Sequence, residues 1–178
     1  DIVFGDLSSD VCSSDLKKPE NIVTDAGYGS EENYDYVQKK EMGNYLKHNK
    51  FYVERTRKFK KDRYRKENLP YDAQKDEYRC PQDKVLRFSH IQKKKTENGY
   101  ESETRIYECE GCDGCPDRDK CHKGHNNRKI EVNPKLDEMK READKNLYSE
   151  QGIELRKQRS VEPRSEERRV GKECRSRW

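Results

Sequence analysis

Apolar side chains are scarce in this 178-residue chain. Leu, Ile, Val and Phe together number only 27, and the hydrophobic share is 29%. No stretch approaches the ~20 apolar residues of a membrane span, and no apolar segment of a secretory leader is visible. The reading is therefore a cytoplasmic protein with no membrane partner. A Ser/His/Asp triad and a phosphate-binding GxxxxGK loop are also missing, and His48 and His90 read as surface or packing residues. Charge, by contrast, is abundant: 43% of residues are Asp, Glu, Lys or Arg, for a net +4. Such near balance suits a marginal, incomplete core better than a disordered chain, which usually carries a large net charge.

Two terminal stretches stand apart. Ser8 to Leu16 resembles a translated sequencing adapter, with Leu7 where the familiar string has Trp, and Arg164 to Trp178 resembles another. Neither has the apolar period of a strand or a helix. Residues 1–16 and 164–178 are thus expected to be foreign, leaving about 17–163 as a segment open at both ends. Residues 1–16 carry −4 and 164–178 carry +3, which leaves +5 on 17–163.

Within that segment, 21–25 read as a buried strand and Ser30 as the N-cap of a helix with Glu31 and Glu32 in its first turn. Tyr34, Val37, Met42, Tyr45 and Leu46 form a rough apolar stripe that carries the predicted helix to about Lys47. Phe51-Tyr52-Val53 reads as a second strand, so the succession suits an α/β sheet. Further on, 85–88 and 104–107 read as short strands, and Asn98-Gly99 is a hairpin signal in which both residues tolerate positive φ. From Pro134 the pattern is helical; Gly152 is expected to break it, and 153–162 resume helical potential.

Asp25 is the most informative residue. It ends the β-branched run Asn21-Ile-Val-Thr-Asp25 and opens a glycine-rich turn, a common place for a metal-binding or catalytic carboxylate in α/β folds. The competing reading is a carboxylate that binds a turn amide. The string Asp25-Ala-Gly-Tyr-Gly-Ser-Glu-Glu-Asn-Tyr34 resembles the second-aspartate motif of prokaryotic insertion-sequence transposases with a DDE catalytic domain. That resemblance implies an RNase H-like mixed sheet with flanking helices, three converging acids, and Mg²⁺ or Mn²⁺ at the site. It implies Glu162 as the third acid and Arg159 as a supporting cation, although spacing alone makes Arg156, Arg159 and Glu162 an ordinary helix-surface cluster. The first acid is expected upstream of residue 17, so the chain by itself is expected to be inactive. DNA is the implied partner, and the intact enzyme is expected to be a homo-oligomer.

The resemblance also implies an inserted subdomain between the second and third acids. The expected organisation is catalytic core over 17–53, a basic and cysteine-rich insertion over 54–132, and C-terminal helices over 133–163. Of seven cysteines, five lie in that insertion: Cys80, then Cys109-x₂-Cys112-x₂-Cys115-x₅-Cys121. Paired C-x₂-C spacing points to tetrahedral Zn²⁺, as in a zinc ribbon. Reduced thiols and an iron–sulfur ligand run are the alternatives. Five thiols for four places leave the ligand set open, with His122 and His125 as further candidates.

The stretch 54–66 holds eight basic and two acidic residues. Arg55, Arg57, Lys58, Lys60, Lys61, Arg63, Arg65 and Lys66, interleaved with Phe59 and Tyr64, suit phosphate contact and base stacking. A solvated charge run is the plain alternative. From a different class comes a second function: a non-catalytic zinc-ribbon DNA-binding module in which Asp25 and Glu162 are structural.

Overall fold

A computed structural model describes residues 2–3, 18–122 and 124–159. The strands are β1 (Ile2–Val3), β2 (Asn21–Thr24), β3 (Gly43–Leu46), β4 (Tyr71–Asp72), β5 (Glu77–Arg79), β6 (Val85–Lys95), β7 (Glu101–Cys109) and β8 (Lys129–Val132). The helices are α1 (Glu31–Lys39), α2 (Arg57–Lys61), α3 (Arg118–Cys121) and α4 (Pro134–Tyr148), and residues 150–159 are helical as well. The chain divides into two compact units, one of Asp1–Phe51 with Leu136–Trp178, the other of Tyr52–Lys135.

The first unit is α/β. β1, β2 and β3 form a parallel sheet in that order, so Ile2–Val3, within the stretch expected to be foreign, pairs with Asn21 and Ile22. Val23 pairs with Tyr45 and Thr24 with Leu46. Because side chains alternate, Ile22 and Leu46 face one side while Val23 and Tyr45 face the other. Both faces are covered, as parallel sheets require. Ile22 and Leu46 pack with Tyr34 and Val37 of α1 and Met139 and Ala143 of α4. Val23 and Tyr45 pack with Phe51, Leu147 and Leu155. Full burial of a side chain such as Leu46 or Leu147 stabilises the unit by roughly 1.5–3 kcal/mol.

The second unit is a five-stranded sheet in the order β4-β5-β6-β7-β8, antiparallel throughout. Its core gathers Leu69, Leu86, Tyr107 and Ile130 with Cys80, Cys109 and Cys112. The turn before β5 is locked by Asp76, at φ 53°. Its carboxylate accepts hydrogen bonds from the hydroxyls of Tyr71 and Tyr107, both at 2.7 Å, and from Arg105 at 2.5 Å. Among the described residues β5 pairs only with 85–87 of β6, and no other strand covers the rest of that edge, studded with Lys93, Lys94 and Lys95. Lysine on an edge discourages strand addition. Here the charge is balanced locally: Lys93 pairs with Glu103 opposite it at 3.0 Å, Lys95 with Glu101 at 3.4 Å, and Lys94 reaches Glu131 at 3.2 Å.

Four local expectations need correction. The first helix ends at Lys39, not near Lys47. Met42 N–H donates to Val37 C=O and Glu41 N–H to Gln38 C=O, the paired bonds of a Schellman stop, with Glu41 left-handed at φ 51°. Glycine usually marks that position; glutamate hides it. Tyr45 and Leu46 therefore lie on β3, and 51–53 are no strand: Phe51 is buried in a turn, and Val53–Arg55 form a 3-10 turn.

The break after α4 falls at Ser149, not Gly152. Ser149 Oγ accepts the Gly152 N–H at 3.1 Å and caps the next helix. Gly152 lies inside that helix because its backbone presses on α4; a Cβ there would stand 2.1 Å from the Asn146 carbonyl oxygen. At the β6–β7 hairpin, Gly99 N–H bonds Thr96 C=O and Thr96 N–H bonds Tyr100 C=O. Only Gly99 takes positive φ, at 83°, so the loop is a type I turn closed by a glycine bulge, not an Asn-Gly I′ turn.

Candidate active site and cysteine pocket

β2 and β3 run parallel and end in register. Thr24 pairs with Leu46, so the next residues, Asp25 and Lys47, emerge side by side at the carboxyl edge of the sheet. Asp25 caps nothing: its side chain makes no cap hydrogen bond to the 3-10 turn Ala26–Tyr28 that follows. The turn closes instead through Tyr28 N–H to the Asp25 carbonyl. Gly29 then brings the turn back against the segment after β3, where a Cβ would lie 2.8 Å from His48 Cα. Close approach, rather than backbone conformation, is what requires glycine there. The result is a carboxylate whose side chain is 61% exposed, beside the 11%-exposed side chain of Lys47, with Nζ at 3.8 Å.

The helix over 150–159 brings in Arg159. Its guanidinium donates to both Asp25 oxygens, Nη1 to Oδ1 and Nη2 to Oδ2, each at 2.6 Å. One turn earlier Arg156 lies over the rings of Phe51 and Tyr148, at 5.5 and 5.4 Å, and so anchors the helix on the core. The Arg159 hydrogen bonds hold the Asp25 carboxyl below its ordinary range; partial burial opposes this, and the charges of Arg159 and Lys47 add to it. Of the three residues expected at the site, Asp25 and Arg159 therefore meet, and Glu162 lies outside the described residues. Lys47 was not foreseen. Its signal, the residue after a strand parallel to β2, was concealed by the unmarked helix stop.

Next to Lys47, His48 is buried rather than on the surface. Its Nδ1 accepts the Lys50 N–H at 3.3 Å, which leaves Nε2 as the donor to Asp144 Oδ2, at 3.5 Å. This tautomer is assigned from the hydrogen bonds. The pair ties the end of β3 to α4.

In the second unit, a cavity of about 20 Å³ is lined by Cys80, Cys109, Cys112, Cys115, Cys121 and His122. Amide donors point at two of the sulfurs: Gln82 N–H to Cys80 and Arg128 N–H to Cys112, both at 3.4 Å. Arg128, itself buried, donates through Nη1 to the Cys121 sulfur at 3.0 Å and through Nη2 to the Tyr64 carbonyl. Among the described residues, His122 Nε2 is buried without a hydrogen-bond partner. Burial, with Cys112 and Cys80 beside it, pushes the Cys109 thiol up to about 12. Burial also raises Cys121, against the pull of Arg128. The sulfurs line the cavity without closing on a point, since no three lie within 4.8 Å of one another among the described residues.

Residues 79–176 match the family described as the transposase DDE domain. The chain belongs to that family. The matched span exceeds half the chain and includes the five cysteines, α4, Arg159, Glu162 and most of the stretch resembling an adapter; it begins beyond Asp25. Membership ties the chain to DNA cleavage in transposition, a reaction that DDE domains generally carry out with divalent metal. No curated protein and no solved structure matches. Among the described residues no helix is long and apolar enough to cross a membrane.

The basic stretch divides in two by exposure and pairing. On α2, Arg57, Lys58, Lys60 and Lys61 are exposed around the buried anchor Phe59. Arg63 instead pairs with Asp117 at 3.1 Å, Arg65 pairs with Asp62 at 3.1 Å, and Lys66 donates to the Glu131 carbonyl at 2.5 Å. Arg55 is exposed beside α2. The expectation of open base-stacking rings is corrected for Phe59, which is buried with the Arg65 guanidinium over its ring at 4.6 Å. Tyr64 is half-buried, with Arg63 over its ring.

Proposed function

We propose that Asp25 and Glu162 are the second and third acids of an RNase H-like DDE transposase core that cuts and joins DNA at the ends of an insertion sequence. One observation carries this reading: a helix 134 residues away in sequence delivers Arg159 to a strand-end aspartate. Glu162 follows Arg159 by three residues in the sequence.

The chemistry of Asp25 fits a hard divalent cation. It is an exposed oxygen donor, held ionised, with no turn amide to satisfy. Mg²⁺ or Mn²⁺, when bound, supplies activation of the attacking oxygen and charge neutralisation at the leaving oxygen in an in-line phosphoryl transfer. The protein's own part is positioning. Strand register fixes Asp25, the close approach at Gly29 fixes its turn, and Lys47 adds positive charge for a phosphate at the same edge.

The unit Tyr52–Lys135 is read as the insertion between these acids, with α2 as its DNA-facing element and Zn²⁺ in its cysteine pocket. The donor set favours zinc. Amide N–H groups aimed at sulfur stabilise thiolates, the orphaned His122 Nε2 offers a further ligand, and a buried Arg128 suits the net negative charge of a zinc–thiolate centre.

A test of the acids is transposon-end cleavage by the intact gene product with Mg²⁺. Asp25→Asn and Glu162→Gln should each abolish it while binding of end DNA persists. Cleavage surviving either change would refute the assignment. A second reading, the non-catalytic zinc-ribbon DNA-binding module, draws on the same ion pair: a carboxylate with both oxygens on one guanidinium is also what a structural bridge looks like. In that case Asp25→Asn would lower stability and the wild-type protein would show no transposon-end cleavage to lose.

A further inference from the structure

We propose that Arg159 and a divalent ion compete for Asp25, so that metal loading releases the Arg159 fork. This rests on Asp25 being a metal ligand. Both carboxylate oxygens are engaged at 2.6 Å, in the two parallel bonds of a fork-to-fork pair. A divalent ion needs at least one of these oxygens, at a little over 2 Å. At that separation a guanidinium on the remaining oxygen would face two like charges across a single carboxylate. Lys47 differs: at 3.8 Å its Nζ is outside hydrogen-bond range and need not move. The Arg159 side chain is only 20% exposed and lies on a helix anchored through Arg156, so the fork is held at Asp25 and not drawn from a freely waving side chain. In the metal-free state the arginine therefore stands in for the cation. It holds the carboxylate ionised and in place, at the cost of weakening apparent metal affinity by the fraction of time the pair is closed. Once displaced, the same planar fork is matched to the non-bridging oxygens of a phosphate.

The experiment is Mn²⁺ titration of the 178-residue chain, with free Mn²⁺ read by electron paramagnetic resonance, on wild type, Arg159→Gln, Arg159→Lys and Asp25→Asn. Removing a partly exposed ion pair should tighten Mn²⁺ binding about two- to fivefold in Arg159→Gln. Arg159→Lys, which keeps the charge but loses the fork, should fall between. Asp25→Asn should weaken binding in every background. As a check independent of measured affinities, the Arg159 Nε–H signal in ¹⁵N NMR should move on adding Mg²⁺ to wild type and stay fixed in Asp25→Asn. Unchanged or weaker binding in Arg159→Gln, with Asp25→Asn still weakening it, overturns the competition and leaves Asp25 as a metal ligand. Binding indifferent to Asp25→Asn overturns both. An Arg159 signal unmoved by Mg²⁺ in wild type overturns the competition by itself.

Discussion

Thr24 and Leu46 form the last rung of the β2–β3 ladder, and that pairing makes Asp25 and Lys47 neighbours. The juxtaposition depends on the Gly29 backbone lying against Lys47 and His48. Gly29→Ala puts a Cβ within 2.9 Å of backbone atoms of both residues. It should lift the turn from the sheet edge, lower stability by about 1–3 kcal/mol and weaken Mn²⁺ binding. Urea denaturation and the Mn²⁺ titration measure the two effects; a variant as stable as wild type would show that the turn relaxes freely.

Acid should loosen the same edge. The Asp25 carboxyl is lowered in the folded protein, so its stabilising contribution is present above the unfolded carboxylate range and fades as pH falls through the lower folded value. Asp25→Asn should therefore cost stability at neutral pH and nearly nothing in strong acid. Thermal melts across pH 2–7, around the range where such carboxyls titrate, test this; a pH-independent difference would contradict it.

At the turn before β5, Asp76→Ala removes the acceptor for three donors and places a Cβ residue without a polar tip at positive φ. The buried Tyr107 hydroxyl loses its carboxylate acceptor, and loss of a buried hydrogen-bond acceptor costs about 1–3 kcal/mol. Asp76→Asn should restore part of the loss. Equal denaturation midpoints for wild type and Asp76→Ala would refute the locking role.

The cysteine pocket predicts a metal and a reactivity order. Mass spectrometry of the purified protein should find about one zinc per chain, the four-ligand structural stoichiometry; a value near zero would favour free thiols. After chelation, Cys109, pushed up to about 12, should alkylate at pH 8 far more slowly than the less buried Cys115. Comparable rates would mean that the pocket opens without metal.

Cations on α2 should matter more for DNA than those beyond it. Lys58→Ala and Lys61→Ala should each reduce the slope of log affinity against log salt by about 0.9 if they contact phosphate. Arg63→Ala and Arg65→Ala, tied to Asp117 and Asp62, should change the slope less. Equal slopes for all four would remove the distinction.

Much of this was legible in the chain. The Ser30 cap, the β-branched strand before Asp25, the helix from Pro134 and the hairpin around Gly99 follow from local rules that the structure obeys. What escaped was carried by unusual residues at ordinary positions. Glu41 in a left-handed helix stop hid β3, and with it Lys47. Gly152 looked like a breaker but serves close helix packing, while Ser149, a common cap residue, makes the break. β4, β5 and β8 are too short, at two to four residues, to leave a period in the sequence. The meeting of Asp25 with Arg159 has no local signal at all, being a product of tertiary packing; only family resemblance suggested it.

The two units differ in how their residues are spread along the chain. Tyr52–Lys135 is contiguous, and its strands pair with near neighbours, so it can order itself as soon as it leaves the ribosome. The other unit must wait, because Asp25 and Arg159 lie 134 residues apart. Closing so long a loop is slow, though prior folding of the intervening sheet shortens the effective loop that remains. The unit Tyr52–Lys135 is then also a kinetic clamp: substitutions that unfold it should delay assembly of an edge that they do not touch.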